Sequence, residues 1–219
     1  MEILEIIPGI LEKDWDEIEK KIELIRPFAK KIHIDIIDGK FSPNETFLDP
    51  APFKKYTNEI FFELHMMVEE PINYLDSFAK VGFQRFIGHI EHMSDQVEFI
   101  TKAQFLGEAG LYVDGPSELA DILVPLEDLD CIGIFTANKA GFSGQPFEDE
   151  MLEKIKLIEK QFSWMKIEAD GGINEKTIIQ SRDAGATRFV ATSFLFNNGN
   201  NPHEQYDILQ KILKTTVEV

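Results

Sequence analysis

Four side chains able to bind a metal ion or move a proton stand at the ends of short apolar segments. His33 and Asp35 alternate with isoleucines in the segment 31–37, so an extended chain places imidazole and carboxylate on one face. His65 lies near the end of another such segment, and Asp170 precedes a double glycine. This donor set suits zinc, manganese, iron or cobalt better than calcium. We therefore predict that the four residues hold one divalent metal ion, although hydrogen bonds could instead satisfy each one separately.

Three glycine-rich stretches follow the last apolar segments of the chain. Glycine lets a backbone approach a ligand closely, and amide N–H groups bind phosphate without any lysine. We predict that these stretches bind a phosphate, against the simpler interpretation that the glycines only form tight turns. The candidates are Gly141, Phe142, Ser143 and Gly144 in the first stretch, Gly171 and Gly172 in the second, and Thr192 and Ser193 in the third.

Strands and helices that could position these residues alternate along the chain. Eight strand–helix units without a break in composition favour a single domain, 1–219, folded as a closed (β/α)8 TIM barrel rather than an open sheet. Active sites of such barrels lie at the carboxyl ends of the strands. The predicted strands are 4–8, 31–37, 61–68, 85–90, 110–113, 131–135, 166–169 and 188–191, and the predicted helices are 15–25, 71–80, 95–106, 117–124, 148–162, 174–184 and 202–213.

Capping residues mark several of these helix boundaries. Asp14, Ser117 and Asn174 have side chains that accept hydrogen bonds from the first free amides of a helix. Glycines that precede the next strand favour helix ends, because glycine adopts the left-handed conformation without strain. The predicted helix ends are at Gly82, Gly110 and Gly185.

Composition excludes several classes of partner. A formal net charge of −17 disfavours nucleic acids and anionic membranes, whose binding depends on basic patches. No apolar run approaches the length of a membrane span, and the N-terminus lacks the pattern of a secretion signal. The one cysteine, Cys131, lies in an apolar segment and is predicted to be a core residue. We expect a cytoplasmic protein and, given 18 phenylalanines, a homo-oligomer.

Two carboxylates beside a metal ion indicate a type of reaction. A metal that polarises a carbonyl lowers the free energy needed to form an enolate next to it. If Asp35 and Asp170 face a bound carbon from opposite sides, one can remove a proton and the other return it, which inverts the centre. We therefore predict Asp35 and Asp170 as the catalytic pair of an epimerase, provided that the folded chain places them so.

Several stretches of the chain form a recognisable set of motifs. The most specific is Asp-Gly-x-Phe-x-Pro-Asn at 38–44, directly after His-x-Asp, and the others are 7–11, 64–67, 89–91, 141–147 and 170–173. Through these stretches the chain resembles the ribulose-phosphate 3-epimerase family and its near relative, allulose-6-phosphate 3-epimerase.

The resemblance implies a metal-dependent inversion at C3 of a ketose phosphate through a cis-enediolate. The substrate it implies is D-ribulose 5-phosphate, which becomes D-xylulose 5-phosphate, and allulose 6-phosphate is the alternative. His33, Asp35, His65 and Asp170 match the metal ligands of the family, Asp35 and Asp170 its acid/base pair, Gly144, Gly172 and Ser193 its phosphate site, and Met67 its pocket lining.

Several positions depart from the family pattern while the metal and acid/base positions match it. The altered residues surround the expected substrate, so the departures bear on the identity of the sugar more than on the chemistry. Gly9 stands where the family has a serine near the substrate, and we predict that it too contacts the substrate. The other departures are Lys40 in place of histidine, Ile37 and Phe135 in place of methionines, Thr192 in place of glycine, the stretch 113–117, and a loop at 138–144 that is one residue longer.

Two functions of other classes remain open at this point. A sugar-phosphate lyase or decarboxylase would use the same enediolate but break a carbon–carbon bond. A non-catalytic barrel that binds a sugar phosphate would fit the departure at Gly9.

Overall fold

Eight parallel strands form a closed barrel in which each strand pairs with the next along the chain and the eighth pairs with the first. The computed structural model describes residues 4–197, 199 and 201–215. The predicted (β/α)8 barrel is confirmed. The strands are β1 (Glu5–Ile10), β2 (Lys31–Ile37), β3 (Phe61–Met67), β4 (Arg85–His89), β5 (Glu108–Val113), β6 (Cys131–Phe135), β7 (Ile167–Asp170) and β8 (Arg188–Ala191).

Amphipathic helices pack their apolar faces against the outside of this barrel. As predicted, Asp14 caps the first helix by accepting the amide N–H of Glu17 at 3.1 Å. Gly82 and Gly185 end the second and fifth helices with positive φ, also as predicted. No described helix is both long and apolar enough to cross a membrane. The helices are α1 (Trp15–Ile25), α2 (Leu75–Val81), α3 (Gln96–Leu106), α4 (Leu152–Gln161), α5 (Thr177–Ala184), α6 (Ser193–Phe196) and α7 (Pro202–Thr215).

Polar residues on alternate strand positions fill the inside of the barrel in two layers. The register pairs Asp35 with His65 in the layer nearer the carboxyl ends of the strands. One step deeper, Glu63 pairs with both His33 and Arg85. Because side chains two residues apart on a strand share a face, the deeper layer lies directly beneath the mouth. The deeper layer consists of His33, Glu63, Arg85, Glu168 and Arg188.

The predicted helix 117–124 is wrong. Between β5 and β6 the chain forms two short 3₁₀ turns, Leu119–Asp121 and Leu126–Asp128. The side chain of Gln96 accepts the amide N–H of Leu123 at 2.7 Å and donates to a carbonyl oxygen of the first turn at 2.9 Å. A contact with α3 therefore shapes this β5–β6 connection more than its own helical tendency does.

Lys154 of α4 holds the start of the β5–β6 connection. Its ammonium group donates to the carbonyl oxygens of Asp114, Gly115 and Ser117 at 3.0, 2.8 and 2.5 Å. In a helix starting at Ser117, the carbonyl oxygen of Ser117 would instead accept a backbone amide of that helix. Lys154, 37 residues further along the chain, therefore holds this backbone in a non-helical conformation.

Gly110 does not end a helix as predicted, because α3 already ends at Gly107 and Gly110 lies inside β5. A Cβ atom at Gly110 would lie 2.7 Å from Sγ of Cys131. Cys131 is fully buried, as predicted, and burial raises the pKa of its thiol to about 12. This glycine therefore serves close packing between β5 and β6 rather than chain reversal.

An apolar groove lies between the β5–β6 connection and α4. It has a volume of about 370 Å³ and is lined by residues that include Leu119, Ile122 and Phe162. Leu123 and Trp164 expose 74% and 54% of their surface. In a (β/α)8 barrel with a full helix between the fifth and sixth strands, that helix would occupy the position of this groove.

Candidate active site at the barrel mouth

The two histidines and two aspartates singled out by the sequence converge at the mouth. Oδ1 of Asp35 lies 3.2 Å from Nε2 of His33 and 2.8 Å from Nδ1 of His65. The same two ring nitrogens lie 3.9 and 3.6 Å from Oδ2 of Asp170. All four residues are buried, and one ligand atom of each lies within 4.8 Å of the others. We call these four residues the mouth cluster.

Glu63 fixes the far side of the His33 ring. Its Oε1 lies 2.8 Å from Nδ1 of His33, and since a carboxylate only accepts, Nδ1 carries the hydrogen. Nη1 of Arg85 donates to the other oxygen of Glu63, Oε2, at 2.6 Å, and Arg188 also donates to Oε2. Nε2 of His33 is consequently the ring nitrogen directed at Asp35 and the mouth.

His89 lies on the far side of the His65 ring. Nε2 of His89 is 2.8 Å from Nε2 of His65, and the rings stack with centroids 4.9 Å apart. Nδ1 of His89 lies 3.1 Å from Oε2 of Glu91. Oε1 of Glu91 accepts the amide N–H of Asp114 at 2.8 Å. Each histidine of the mouth cluster thus has one ring nitrogen at the mouth and the other in a buried contact.

Burial and neighbouring charges shift the pKa values of the mouth cluster in opposite directions. Burial alone would raise the pKa of Asp35, but the charges and hydrogen bonds of His33 and His65 outweigh it and lower that pKa to about 2. Burial, together with the charge of Asp35, raises the pKa of Asp170 well above its usual range. Burial lowers the pKa of His65 to about 3. The two carboxyl groups therefore differ strongly in proton affinity although they share one site.

The donor set of the mouth cluster fits a divalent transition-metal ion. Two imidazole nitrogens with lone pairs toward the mouth and two carboxylates are the ligands that zinc, manganese, iron and cobalt accept. A deeper group of His33, Glu63 and Glu168 is also compact. Arg188 already pairs with both glutamates of that group, and Nδ1 of His33 carries a hydrogen there. The deeper group is therefore a satisfied ion-pair network, while the mouth cluster could hold a metal.

A pocket opens above the mouth cluster. Asp35 and Asp170 lie at its floor, and Asn44 closes one edge by donating to the carbonyl oxygen of Gly141 at 2.8 Å. The lining contains neither lysine nor arginine among the described residues. Nine of the ten predicted substrate-binding residues line it: Met67, Gly141, Phe142, Ser143, Gly144, Gly171, Gly172, Thr192 and Ser193.

Gly9, the tenth predicted residue, does not line the pocket. A Cβ atom at this position would lie 2.2 Å from Oγ1 of Thr192 and 2.9 Å from Cγ1 of Val190. The side chain of Thr192 therefore fills the space in front of Gly9, while contact of Gly9 with a ligand stays a prediction. Lys40, another departure, is mostly exposed and pairs with Glu69, as expected of a solvated lysine.

Sequence reasoning missed the network beneath and beside the mouth cluster. Glu63 and Glu168 each stand two residues before a predicted ligand, so the same alternation that identified His65 and Asp170 placed them on the inner face. Arg85 and Arg188 carried no such signal, because their pairing with these glutamates depends on strand register. Other lining residues that were not predicted are Leu11, Ala137, Gln145, Ile173 and Val190.

Fold and site together define a (β/α)8 barrel with a buried His₂Asp₂ group under glycine-rich loops. The model of the ribulose-phosphate 3 epimerase family matches residues 5–196, and the chain belongs to this family. It is 32% identical to ribulose-phosphate 3-epimerase of Schizosaccharomyces pombe, over 91% of this chain and 89% of that protein. It is 31% identical to the cytoplasmic isoform of ribulose-phosphate 3-epimerase of Oryza sativa subsp. japonica, over 94% of this chain and 92% of that protein.

Solved structures confirm the architecture. The crystal structure of 3-keto-L-gulonate-6-phosphate decarboxylase from Vibrio cholerae superposes with a TM-score of 0.72, covering 98% of this chain and 99% of that one. The sequences are only 10% identical. This likeness therefore shows a shared fold and nothing about a shared reaction.

Proposed function

We propose that this protein is a metal-dependent epimerase that inverts C3 of a ketose phosphate, with D-ribulose 5-phosphate as substrate. The observation that carries the proposal is that Asp35 and Asp170 meet at the floor of one pocket whose other walls are glycine-rich loops. Membership of the ribulose-phosphate 3 epimerase family supports it. Two carboxyl groups with opposed pKa shifts are what a proton removal and a proton return require.

The mouth cluster would hold the metal ion of this reaction. His33 and His65 would supply one imidazole nitrogen each, and Asp35 and Asp170 one carboxylate oxygen each. A bound divalent ion would polarise the C2 carbonyl and stabilise the negative charge that develops on its oxygen. Glu63 keeps the lone pair of His33 directed toward the ion by accepting from the opposite ring nitrogen.

Asp35 and Asp170 would exchange the proton at C3. One carboxylate takes the C3 proton, the electron pair of the C–H bond forms a C2–C3 double bond, and the π pair of the C2 carbonyl moves onto its oxygen to give the enediolate. The other carboxyl group then donates a proton to the opposite face of C3, which takes the π pair of the C2–C3 double bond, while the pair on the oxygen restores the carbonyl. The reaction is an isomerisation that neither oxidises nor reduces the sugar, and reversal exchanges the two roles.

The glycine-rich loops would bind the phosphate. Gly144 and Gly172 have φ values of +78° and +68°, and Ser193 lies beside Gly144 at the start of α6. Backbone N–H groups in such loops bind an anion without a cationic side chain. This suits a pocket whose described lining has no lysine or arginine in a chain of net charge −17.

The test is epimerisation of D-ribulose 5-phosphate in ²H₂O, with incorporation of deuterium at C3 followed by NMR. We expect Asp35→Asn and Asp170→Asn to lower the rate by about 10²–10⁴-fold, the usual contribution of a general acid or base. Asp76→Asn, on the exposed face of α2, is the matched control and should keep the rate. Metal analysis of the same wild-type sample should find one ion per chain.

Other outcomes of this assay would contradict the proposal. Faster turnover of allulose 6-phosphate would change the substrate, and release of carbon dioxide from a keto-acid phosphate would change the reaction class. Full exchange at C3 in both Asn variants would remove the acid/base assignment. Failure to bind metal or turn over any ketose phosphate would leave a non-catalytic sugar-phosphate-binding barrel.

We further propose that the protein is a cytoplasmic homo-oligomer. The relative from Oryza sativa that is named a cytoplasmic isoform supports the location. The exposed apolar residues Leu123, Leu157 and Trp164, near the groove between α4 and the β5–β6 connection, support association. Light scattering should give a mass at least twice the 25.1 kDa of one chain.

A further inference from the structure

The two histidines of the mouth cluster are held by different kinds of partner. Behind His33 stands a carboxylate, Glu63, which can only accept a hydrogen bond. Behind His65 stands another imidazole, His89, which can either accept or donate. The contact with His89 therefore does not by itself determine which nitrogen of His65 carries its hydrogen.

Glu91 orients the acceptor that His89 offers to His65. Its Oε2 is 3.1 Å from Nδ1 of His89, so when His89 donates from Nδ1 its lone pair lies on Nε2, 2.8 Å from Nε2 of His65. On the other side of the His65 ring, Nδ1 lies 2.8 Å from Oδ1 of Asp35, which only accepts, so Asp35 and His89 compete for the one hydrogen of a neutral His65. A metal ion at the mouth cluster would take the place of a hydrogen on Nδ1, and His65 would then keep its hydrogen on Nε2, where His89 accepts it.

Glu91 is itself well fixed. Its second oxygen accepts the amide N–H of Asp114, directly after β5, at 2.8 Å. Burial alone would raise the pKa of Glu91, but the hydrogen bond and charge of His89 outweigh it and lower that pKa to about 2. His89 is fully buried, and its ring lies 4.7 Å from that of Phe41 and 5.4 Å from that of Tyr112. The ring of His89 is therefore closely surrounded by its neighbours.

We propose that His89 and Glu91 are positioning residues that favour the tautomer of His65 in which Nε2 carries the hydrogen and the Nδ1 lone pair is available to a metal ion at the mouth cluster. The inference rests on the proposed metal site, which needs that lone pair as a ligand. Groups behind a metal-binding histidine set its tautomer and ring orientation, and their loss weakens metal binding by about 10–100-fold. Here the carboxylate of Glu91 acts on His65 through the imidazole of His89, so Glu91 affects the mouth cluster without touching it.

The test measures Co²⁺ affinity by competition with a chelator and the ring tautomers by ¹⁵N NMR of the full metal-free chain, which has five histidines. Glu91→Gln is nearly isosteric but has one acceptor oxygen for two donors, so Co²⁺ affinity should fall by about 10–100-fold. His89→Leu, which has no acceptor, should lose as much, and His89→Gln, whose amide oxygen can accept, should recover part. The exposed controls Glu98→Gln and His203→Gln should stay within about twofold of wild type.

The tautomer measurement keeps the test decisive if a His89 variant fails to fold. We expect Glu91→Gln to raise the fraction of His65 that carries its hydrogen on Nδ1 above the fraction in wild type, because Asp35 also accepts that hydrogen. Equal fractions in the two proteins, or unchanged Co²⁺ affinity in Glu91→Gln, overturn the inference while wild-type epimerisation leaves the proposed function intact. A wild-type chain that binds no Co²⁺ and epimerises nothing refutes the proposed function, and the inference with it.

Discussion

The two halves of the barrel mouth present their polar groups in opposite ways. The side-chain half is the mouth cluster, four ionisable side chains whose positions depend on buried partners such as Glu63 and Arg188. The backbone half is formed by the glycine-rich loops at 141–144 and 171–172, where the main chain lines the pocket. A substitution that changes a charge should disturb the side-chain half, whereas any added side chain should disturb a glycine loop of the backbone half. A variant in one half should therefore leave the function of the other half unchanged.

The largest expected effect comes from the support of the side-chain half. Arg188→Met removes the cation that pairs with Glu63 and Glu168, both fully buried, so the free energy of unfolding should fall by about 3–5 kcal/mol. Metal affinity should fall as well, because Glu63 orients His33, while inhibition by inorganic phosphate should not change. Urea denaturation and a phosphate inhibition constant measure the two effects.

Lys20→Met is the control for this prediction. Its ion pair with Glu17 on α1 is exposed, so its loss should cost about 0.5 kcal/mol or less. If both variants lost the same stability, the buried network would not be what supports the side-chain half.

A smaller effect is expected from the backbone half. Gly172→Ala adds a Cβ atom 2.8 Å from the amide nitrogen of Phe147 at a φ of +68°, a strain of about 1–3 kcal/mol. The KM for the sugar phosphate and the phosphate inhibition constant should rise by about tenfold, while Co²⁺ affinity stays constant. Gly199 has a nearly equal φ of +69°, and a Cβ atom there would have no atom of the described residues within 4 Å, so Gly199→Ala should change neither constant. A loss of metal affinity in Gly172→Ala would show that the halves are coupled.

The smallest expected effect concerns the seam between β1 and β8. Gly9→Ala places a Cβ atom 2.2 Å from Oγ1 of Thr192, which has room to rotate toward the pocket, so stability should fall by only about 1 kcal/mol. Adding Thr192→Ala removes the closest clash and should restore part of this stability in thermal unfolding. An equal loss in the single and double variants would locate the clash at Val190 instead.

Strand alternation predicted the inside of the barrel well. It placed His33, Asp35 and His65 on inner faces, and the barrel brought them to one mouth with Asp170. What a strand pattern cannot give is the partner across the barrel. Arg188 reaches Glu63, 125 residues away in the chain, and no local spacing announces such a pair. The ion-pair network was therefore missed although each glutamate stood in a predicted position.

The errors of the sequence interpretation lie where distant side chains act on a backbone. Ser117 and Glu118 look like the start of a helix, but Lys154 takes up carbonyl oxygens at that start. Gly110 was predicted to end a helix because glycine favours helix ends, but it lies inside β5, where it allows close contact with Cys131. The expectation for Gly9 came from the serine that the family has at this position, and it took no account of Thr192, directly after β8, whose side chain lies in front of Gly9.

The three hydrogen bonds from Lys154 also have a consequence for the order of folding. They join α4 to carbonyl oxygens 37 to 40 residues earlier in the chain, so they cannot form before β6 and α4 have docked. The β5–β6 connection lacks a full α-helix among its described residues and so has little local structure to nucleate in advance. Since contacts of long sequence separation form at a high entropic cost, this corner of the barrel should be among the last to become native.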